Sequence, residues 1–433
     1  MMAGPVSLMH GWLPAAIQVV TIAAVIGAVG WRSRRWCAIW LLPVTAFGVL
    51  VAAGARWWMN NLGVAGEPAP ARLWFWVAAT GLASATVVAG WPGSRWFRRN
   101  LTVFAASTCL LSTGVTINGW IGYFPTVSIA WDQLTSRPVP GQTDLEGVTA
   151  LRRNGVRPST GVVVEVTIPD SAANFAHRSE LVYLPPAWFA TNPPPPLPAV
   201  MMIAGEFHTP ADWLRAGDAL STLNTFASTH GGNAPVAVFV DASGSFSVDT
   251  ECVNGPRGHA ADHLAGDVVP YLVDTFAVSA EQTSWGVVGF SSGGTCALDL
   301  TVMHPNRFHV FLDIAGDLGP NTGTKEQTID RLFGGDRGAW SRFDPSTVIV
   351  GHGNYENVSG LFATPRDDPA AQTLDTLGRS RGISCDVVTL DGHHDWTFAA
   401  ATFALALPWL ASRVGTPGVN PAILPPPSRQ AGG

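Results

Sequence analysis

The chain has 433 residues, 47% of them hydrophobic and 13% charged, and a formal net charge of −6. The length suits two units better than one ordinary domain. Charge is unevenly divided: eight arginines and a single acid, Glu67, precede Phe124, whereas 30 acids face 17 basic residues after it. The acidic part carries no basic patch interleaved with aromatics, which excludes nucleic acid as a partner.

Four apolar segments come first, at 12–30, 36–55, 73–91 and 101–121. Each is close to the ~20 residues that a helix needs to cross a ~30 Å hydrocarbon core. Buried core helices of a soluble protein rarely come in fours, this long and this free of charge. Arg32, Arg34 and Arg35 fill the first connection, and Arg95, Arg98 and Arg99 the third. Basic connections stay cytoplasmic, so the N-terminus and everything after the fourth segment are expected outside. Tryptophans at the segment ends, such as Trp12, Trp36, Trp58, Trp91 and Trp120, suit the membrane interface. The start, "MMAGPVSLMHGW", lacks the positive charge of a cleaved leader. Intramembrane ionisable residues are nearly absent, so the segments read as an anchor in contact with membrane lipid, not a transport path. The expected organisation is an anchor at 1–123, a linker at 124–158, a globular domain at 159–414 and a disordered Pro-rich tail at 415–433.

In the globular part, short apolar β-branched runs recur at 162–168, 180–184, 199–204, 236–241, 284–290, 308–314, 358–363 and 385–390. Helical lengths lie at 210–228, 259–276, 292–304, 369–381 and 396–411. Strands alternating with helices predict an α/β domain with a mainly parallel sheet covered on both faces.

One motif stands at a strand–helix junction: "GVVGFSSGG", residues 286–294. Gly-x-Ser-x-Gly alone is weak, since roughly 0.3 matches are expected by chance in such a chain. Its context is stronger, because a nucleophilic serine in a sharp strand–turn–helix bend needs small residues two before and two after it. Gly289 and Gly293 supply them around Ser291, and the N–H of Ser292 is the expected first oxyanion donor. A second donor is expected in the loop after the third strand, "AGEFHTP", at Glu206 with Phe207 next. The base should follow the last strand, where "DGHHDW" offers His393 and His394. A metal site at His393, His394 and Asp395 lacks ligand spacing on one face, and His259 with His263 reads as a surface helix face. The acid should follow the penultimate strand, where "TPRDDP" offers Asp367 and Asp368, with Glu356 and Asp375 as rivals and Asp368 preferred. No metal or cofactor is expected. Cys252 and Cys296 both fall near this face and are expected to pair, free buried thiols being the alternative.

"GVVGFSSGGTCALDLTVMHPNRF" and "GHHDWTFAAATFALALPWLA" resemble the "Putative esterase" family of the α/β-hydrolase superfamily, with S-formylglutathione hydrolases and mycobacterial mycolyltransferases as relatives. The likeness covers 160–414 and is nearest to actinobacterial membrane-anchored members. It implies Ser291 as nucleophile and His394, not His393, as base. Mycolyltransferases carry an Asp-Gly-Leu-Arg-like loop where this chain has Ala204-Gly205-Glu206-Phe207, so a trehalose acceptor does not carry over. The expected function is a membrane-anchored extracytoplasmic serine esterase or acyltransferase, with lipidic or cell-envelope esters as substrate. The alternatives are an inactive hydrolase-like envelope-binding protein, and a peptidase or thioesterase on the same residues.

Overall fold

The computed structural model describes residues 6–30, 32–62, 69–92, 94–135, 137–245 and 248–422. It divides into two compact units, Met1–Ser136 and Arg137–Gly433.

The first unit holds α1 (Trp12–Gly30), α2 (Arg34–Leu62), α3 (Ala71–Gly90) and α4 (Trp96–Ile121), all four long and apolar enough to cross a membrane. Helix α3 packs on α2 and α4, and α1 packs on α4. The α2–α3 crossing is tight because two glycines meet there. A Cβ on Gly48 would stand 2.4 Å from the Ala78 carbonyl oxygen, and one on Gly81 3.0 Å from Gly48 Cα. Gly122 ends α4 in the left-handed conformation (φ 74°). The side chain of Asn118 then takes the chain through its turn, donating to the Phe124 carbonyl (2.9 Å) and accepting from the Phe124 N–H (2.6 Å). A short helix, α5 (Val127–Leu134), follows, capped by Thr126.

The second unit is built on a nine-stranded sheet. Its strands are β1 (Gln142–Thr143), β2 (Val162–Val166), β3 (Glu180–Leu184), β4 (Ala199–Ile203), β5 (Val236–Val240), β8 (Trp285–Phe290), β9 (Val310–Ile314), β10 (Ser359–Thr364) and β11 (Ser384–Thr389). A small hairpin, β6 (Asn254–Gly255) with β7 (Gly258–His259), lies apart from it. The order is β1-β2-β3-β5-β4-β8-β9-β10-β11, and only β3 runs antiparallel to its neighbours. Central strands are buried on both faces, as a parallel sheet under helices requires. Along β4, Ala199, Met201 and Ile203 enter one core, while Val200 and Met202 enter the other. Along β8, Trp285 and Val287 face the first core, Val288 and Phe290 the second.

The helices of this unit are α6 (Leu145–Arg153), α7 (Asp212–Arg215), α8 (Ala219–Thr229), α9 (Ala260–Asp262), α10 (Val269–Phe276), α11 (Ser292–Met303), α12 (Lys325–Phe333), α13 (Arg337–Ser341), α14 (Pro345–His352), α15 (Pro369–Ser380) and α16 (Trp396–Arg413). Four differences from the expected elements have physical causes. The stretch 124–158 is not a plain linker: it forms α5, β1 and α6, because Thr126 and Asp144 each cap a helix and β1 pairs with β2. Helix 210–228 breaks at Asp218, which adopts φ 48° between α7 and α8. Helix 259–276 passes through a π turn at His263–Val268. Residues 415–422 extend the globular part, with Val419 and Ala422 packed on the second core, and the rest of the expected tail lies outside the described residues.

Candidate active site

The chain leaves β8 at Phe290 and enters α11 at Ser292, with Ser291 at φ 60° and ψ −127°. A serine rarely adopts this conformation, and such strain persists only where the surroundings enforce it. They do so through glycine. A Cβ on Gly289 would lie 1.7 Å from the Gly293 carbonyl oxygen, and one on Gly293 2.3 Å from the Ile203 carbonyl oxygen. Gly294 lets α11 pass β9, since a Cβ there would meet Asp313 Oδ1 at 2.3 Å. The Ser291 N–H donates to Ile314 O (2.9 Å), locking the bend to the neighbouring strand. Helix α11 therefore begins directly after the serine, which is its N-cap residue.

His394 Nε2 lies 3.0 Å from Ser291 Oγ. The residues around the histidine explain its placement. Asp395 caps α16 by accepting the Phe398 N–H (2.9 Å), so its carboxylate serves a helix end. Trp396 is wholly buried, with its ring 5.1 Å from Trp213 and 5.2 Å from Phe290. Phe290 also tilts against the His394 ring at 5.1 Å. His393 is exposed, so of the two histidines only His394 meets the serine.

The loop after β4 brings Gly205 against the bend, where a Cβ would lie 3.0 Å from Ser291 Cβ. Phe207 turns the loop with φ 62°. Asp212, at the start of α7, accepts the Thr209 N–H (2.7 Å), and Arg178 Nη2 donates to the His208 carbonyl (3.0 Å). The buried His208 ring stands edge-on to Trp396 at 5.1 Å. Burial lowers the His208 pKa, which keeps the ring neutral under the loop, although Asp212 and the Gly205 and Glu206 backbone oppose this. Burial, with Asp249 adding to it and Arg257 opposing it, pushes the Glu206 carboxyl up to about 8.

The four candidate acids separate by position. Glu356 precedes β10, at the opposite end of the parallel strands from Ser291. Asp375 lies in α15, with both carboxylate oxygens on Arg379 Nε (3.1 and 2.9 Å). Asp367 and Asp368 follow β10, on the serine's side of the sheet. Asp367 is exposed, whereas Asp368 is half-buried and uses Oδ1 to accept the Ala370 N–H at the start of α15 (2.9 Å).

The structure adds a carboxylate that was not expected. Asp317, after β9, donates its N–H to Thr295 Oγ1 on α11 (2.8 Å). Desolvation raises its pKa, Asn321 and His394 lower it, and Asp368 raises it again, so these groups share one electrostatic neighbourhood. Its place past a strand's C-terminal end is a usable signal, because α/β sites gather there. Asp313 lies beneath, pushed up to about 7 by burial, with the Gly316 N–H (2.8 Å) holding it back.

Cys252 and Cys296 form a disulfide that ties the loop after β5 to α11, and Cys385 is a free buried thiol. Consecutive left-handed residues, Glu251 (φ 49°) and Cys252 (φ 52°), shape that loop. The expected surface face at His259 and His263 is corrected: His259 is exposed, but His263 is wholly buried, because Glu180 and Asp267 receive its ring.

Residues 176–405 match the Esterase family, described as "Putative esterase". An uncharacterized protein of Corynebacterium glutamicum is 32% identical over 340 residues, covering 74% of this chain and 77% of that protein. Two solved structures are similar. An S-formylglutathione hydrolase from Agrobacterium tumefaciens has TM-score 0.49 and 18% identity, covering 60% of this chain and 97% of its own. A ferulic acid esterase has TM-score 0.48 and 17% identity, covering 58% and 98%.

Proposed function

Because the chain belongs to the "Putative esterase" family and is a carboxylic ester hydrolase, we propose that it is a membrane-anchored, extracytoplasmic serine esterase or acyltransferase working through Ser291, His394 and Asp368. The observation that carries this reading is the 3.0 Å approach of His394 Nε2 to Ser291 Oγ at a strained bend. His394 takes the Ser291 proton as Oγ attacks the ester carbonyl. Asp368 orients the imidazole and balances its positive charge. The N–H groups of Ser292 and Glu206 receive the oxyanion, for which a helix N-terminus is well suited. His394 then gives its proton to the leaving alcohol, and an acyl-enzyme remains. Water or a second hydroxyl, activated by the same histidine, resolves it.

The anchor supports a substrate class. Four helices of membrane-spanning length carry arginines at 32–35 and 95–99, which orient the second unit outward. A hydrolase held at the outer face of a membrane meets lipidic and cell-envelope esters, and these are the proposed substrates. Full-length protein in detergent should release p-nitrophenol from acyl esters with a burst equal to the enzyme concentration. It should prefer longer acyl chains, and Ser291→Ala should release none. Turnover by Ser291→Ala at the wild-type rate would sink the reading. In intact cells, a membrane-impermeant thiol reagent should label a cysteine placed at exposed Glu326 and not one at Arg34, and the reverse pattern would contradict the orientation.

A further inference from the structure

Behind the loop that faces Ser291 lies a buried ionic cluster that the reaction does not touch. His263 is wholly buried on the π turn between α9 and α10. Its Nε2 is 3.1 Å from Glu180 Oε1, at the start of β3, and its Nδ1 is 3.3 Å from Asp267 Oδ2. Glu180 is also wholly buried, and Asp267 is 6% exposed. A neutral imidazole offers one N–H and one lone pair, and a lone pair turned toward a buried carboxylate is repulsive. Two carboxylates on one ring therefore call for both nitrogens to be protonated. Uncompensated burial of either acid would be costly.

The cluster continues toward the active site. Glu180 Oε1 also accepts the Asp241 N–H (3.2 Å), just past β5. Arg178 clamps Asp241, through Nε to Oδ2 (2.9 Å) and Nη2 to Oδ1 (2.6 Å). The same Nη2 reaches the His208 carbonyl (3.0 Å), in the loop whose backbone at Gly205 abuts Ser291.

We propose that His263 is a positioning residue held as an imidazolium, which fixes Glu180 and through it the Asp241–Arg178 clamp, and so sets the oxyanion loop after β4. The proposal rests on reading that loop as the oxyanion hole. Among the described residues, the other titratable groups facing the cluster are His177, stacked on His263 at 4.1 Å, and Tyr271 of α10, whose hydroxyl pKa is raised by burial, with Thr275 opposing and Glu180 adding. Desolvation lowers the His263 pKa, but Glu180 and Asp267 together outweigh it and raise it above 6.5. A metal ion is the competing occupant, since ligand atoms of His177, Glu180 and His263 lie within 4.8 Å of one another. The two rings meet face to face at 29°, so in-plane lone pairs do not converge on one ion. Both nitrogens of His177 also lie 2.9 Å from carbonyl oxygens, of Arg178 and Ile168.

Two measurements on the full-length protein in detergent test this. Nitrogen NMR of wild type, with His263 assigned by its loss in His263→Gln, should show both ring nitrogens protonated at pH 7. A neutral tautomer or a metal-shifted nitrogen would overturn the proposal, and this readout needs no turnover. Kinetically, Arg178→Gln should lower kcat on a p-nitrophenyl ester on the order of 100-fold, as loss of an oxyanion donor does, with KM within about twofold. His263→Gln should lower kcat about tenfold or more. Because the two act along one path, the double variant should be no worse than Arg178→Gln alone. Unchanged kcat in a folded variant, or losses that multiply, would overturn it. Failure of the serine-esterase reading looks different, since wild type itself would then be inactive.

Discussion

The two units differ most in what they leave exposed. In the helical unit, hydroxyl groups point inward: Thr21, Ser112, Thr113 and Thr116 are buried, while Ile26, Leu42, Leu50, Val88 and Leu110 are exposed. Thr21 Oγ1 reaches Ser112 Oγ at 2.8 Å, and Thr80 Oγ1 reaches Thr113 Oγ1 at 3.0 Å. In the α/β unit the large apolar side chains are inside, with Trp213, Trp285, Trp396 and Phe311 each under 2% exposed. Water drives the second pattern. The first suits a lipid solvent, where apolar faces gain nothing by hiding and association comes from small residues, close packing and hydrogen bonds. The lesson is that one chain follows two burial rules, and its chemistry sits in the unit that obeys the rule for water.

Substitutions in both units would break or sharpen that contrast. The largest effect is expected at the bend, where Ser291→Ala should cost on the order of 10⁶-fold in kcat while the protein stays folded. Asp368→Asn should cost about 10⁴-fold, whereas Asp317→Asn should cost less than about tenfold. Steady-state kinetics on both variants decides between the two acids, and the reverse order would move the acid to the loop after β9. For stability, Trp396→Ala should destabilise the α/β unit by about 3–5 kcal/mol, whereas Leu50→Ala in the helical unit should stay within about 0.5 kcal/mol. Gly81→Leu should cost about 1–3 kcal/mol, because there is no room at Gly48. Thermal unfolding in detergent checks all three, and a large loss at Leu50 would mean that its exposed face is packed in the working protein.

The smallest effect is a pH limb. The Glu206 carboxyl ionises near 8, raised by burial. Below that it is neutral, and above it a negative charge grows one residue from Gly205, which abuts Ser291, so under the proposed mechanism kcat should fall as pH rises through about 8. Glu206→Gln should flatten that limb and change the rate little at pH 7.

The sheet is legible in the sequence because its strands are short, apolar and β-branched, and the bend at Ser291 is legible because it demands glycines at fixed positions. The four long helices of the first unit are legible from length and apolar composition alone. Helices α12 to α14 are harder. They carry real caps, such as the Thr324–Gln327 box and Asp344 before Pro345, but they are only 5 to 9 residues long, and α14 holds a β-branched run, Thr347 to Val350, that favours a strand. The acids are harder still, because what sorts Asp368 from Asp375 and Glu356 is which end of a strand each occupies and which partner already holds it. His263 shows the limit most clearly. Its spacing to Asp267 was visible, but its other partner, Glu180, lies 83 residues away in the sequence.

The central claim is that Ser291, activated by His394, is the nucleophile. Intact-mass measurement of the full-length protein after a fluorophosphonate probe, followed by peptide mapping, tests it most directly. One adduct on Ser291, lost in Ser291→Ala and slowed by orders of magnitude in His394→Ala, is the predicted result. No adduct on wild type, or an adduct on another residue that persists in Ser291→Ala, would contradict it.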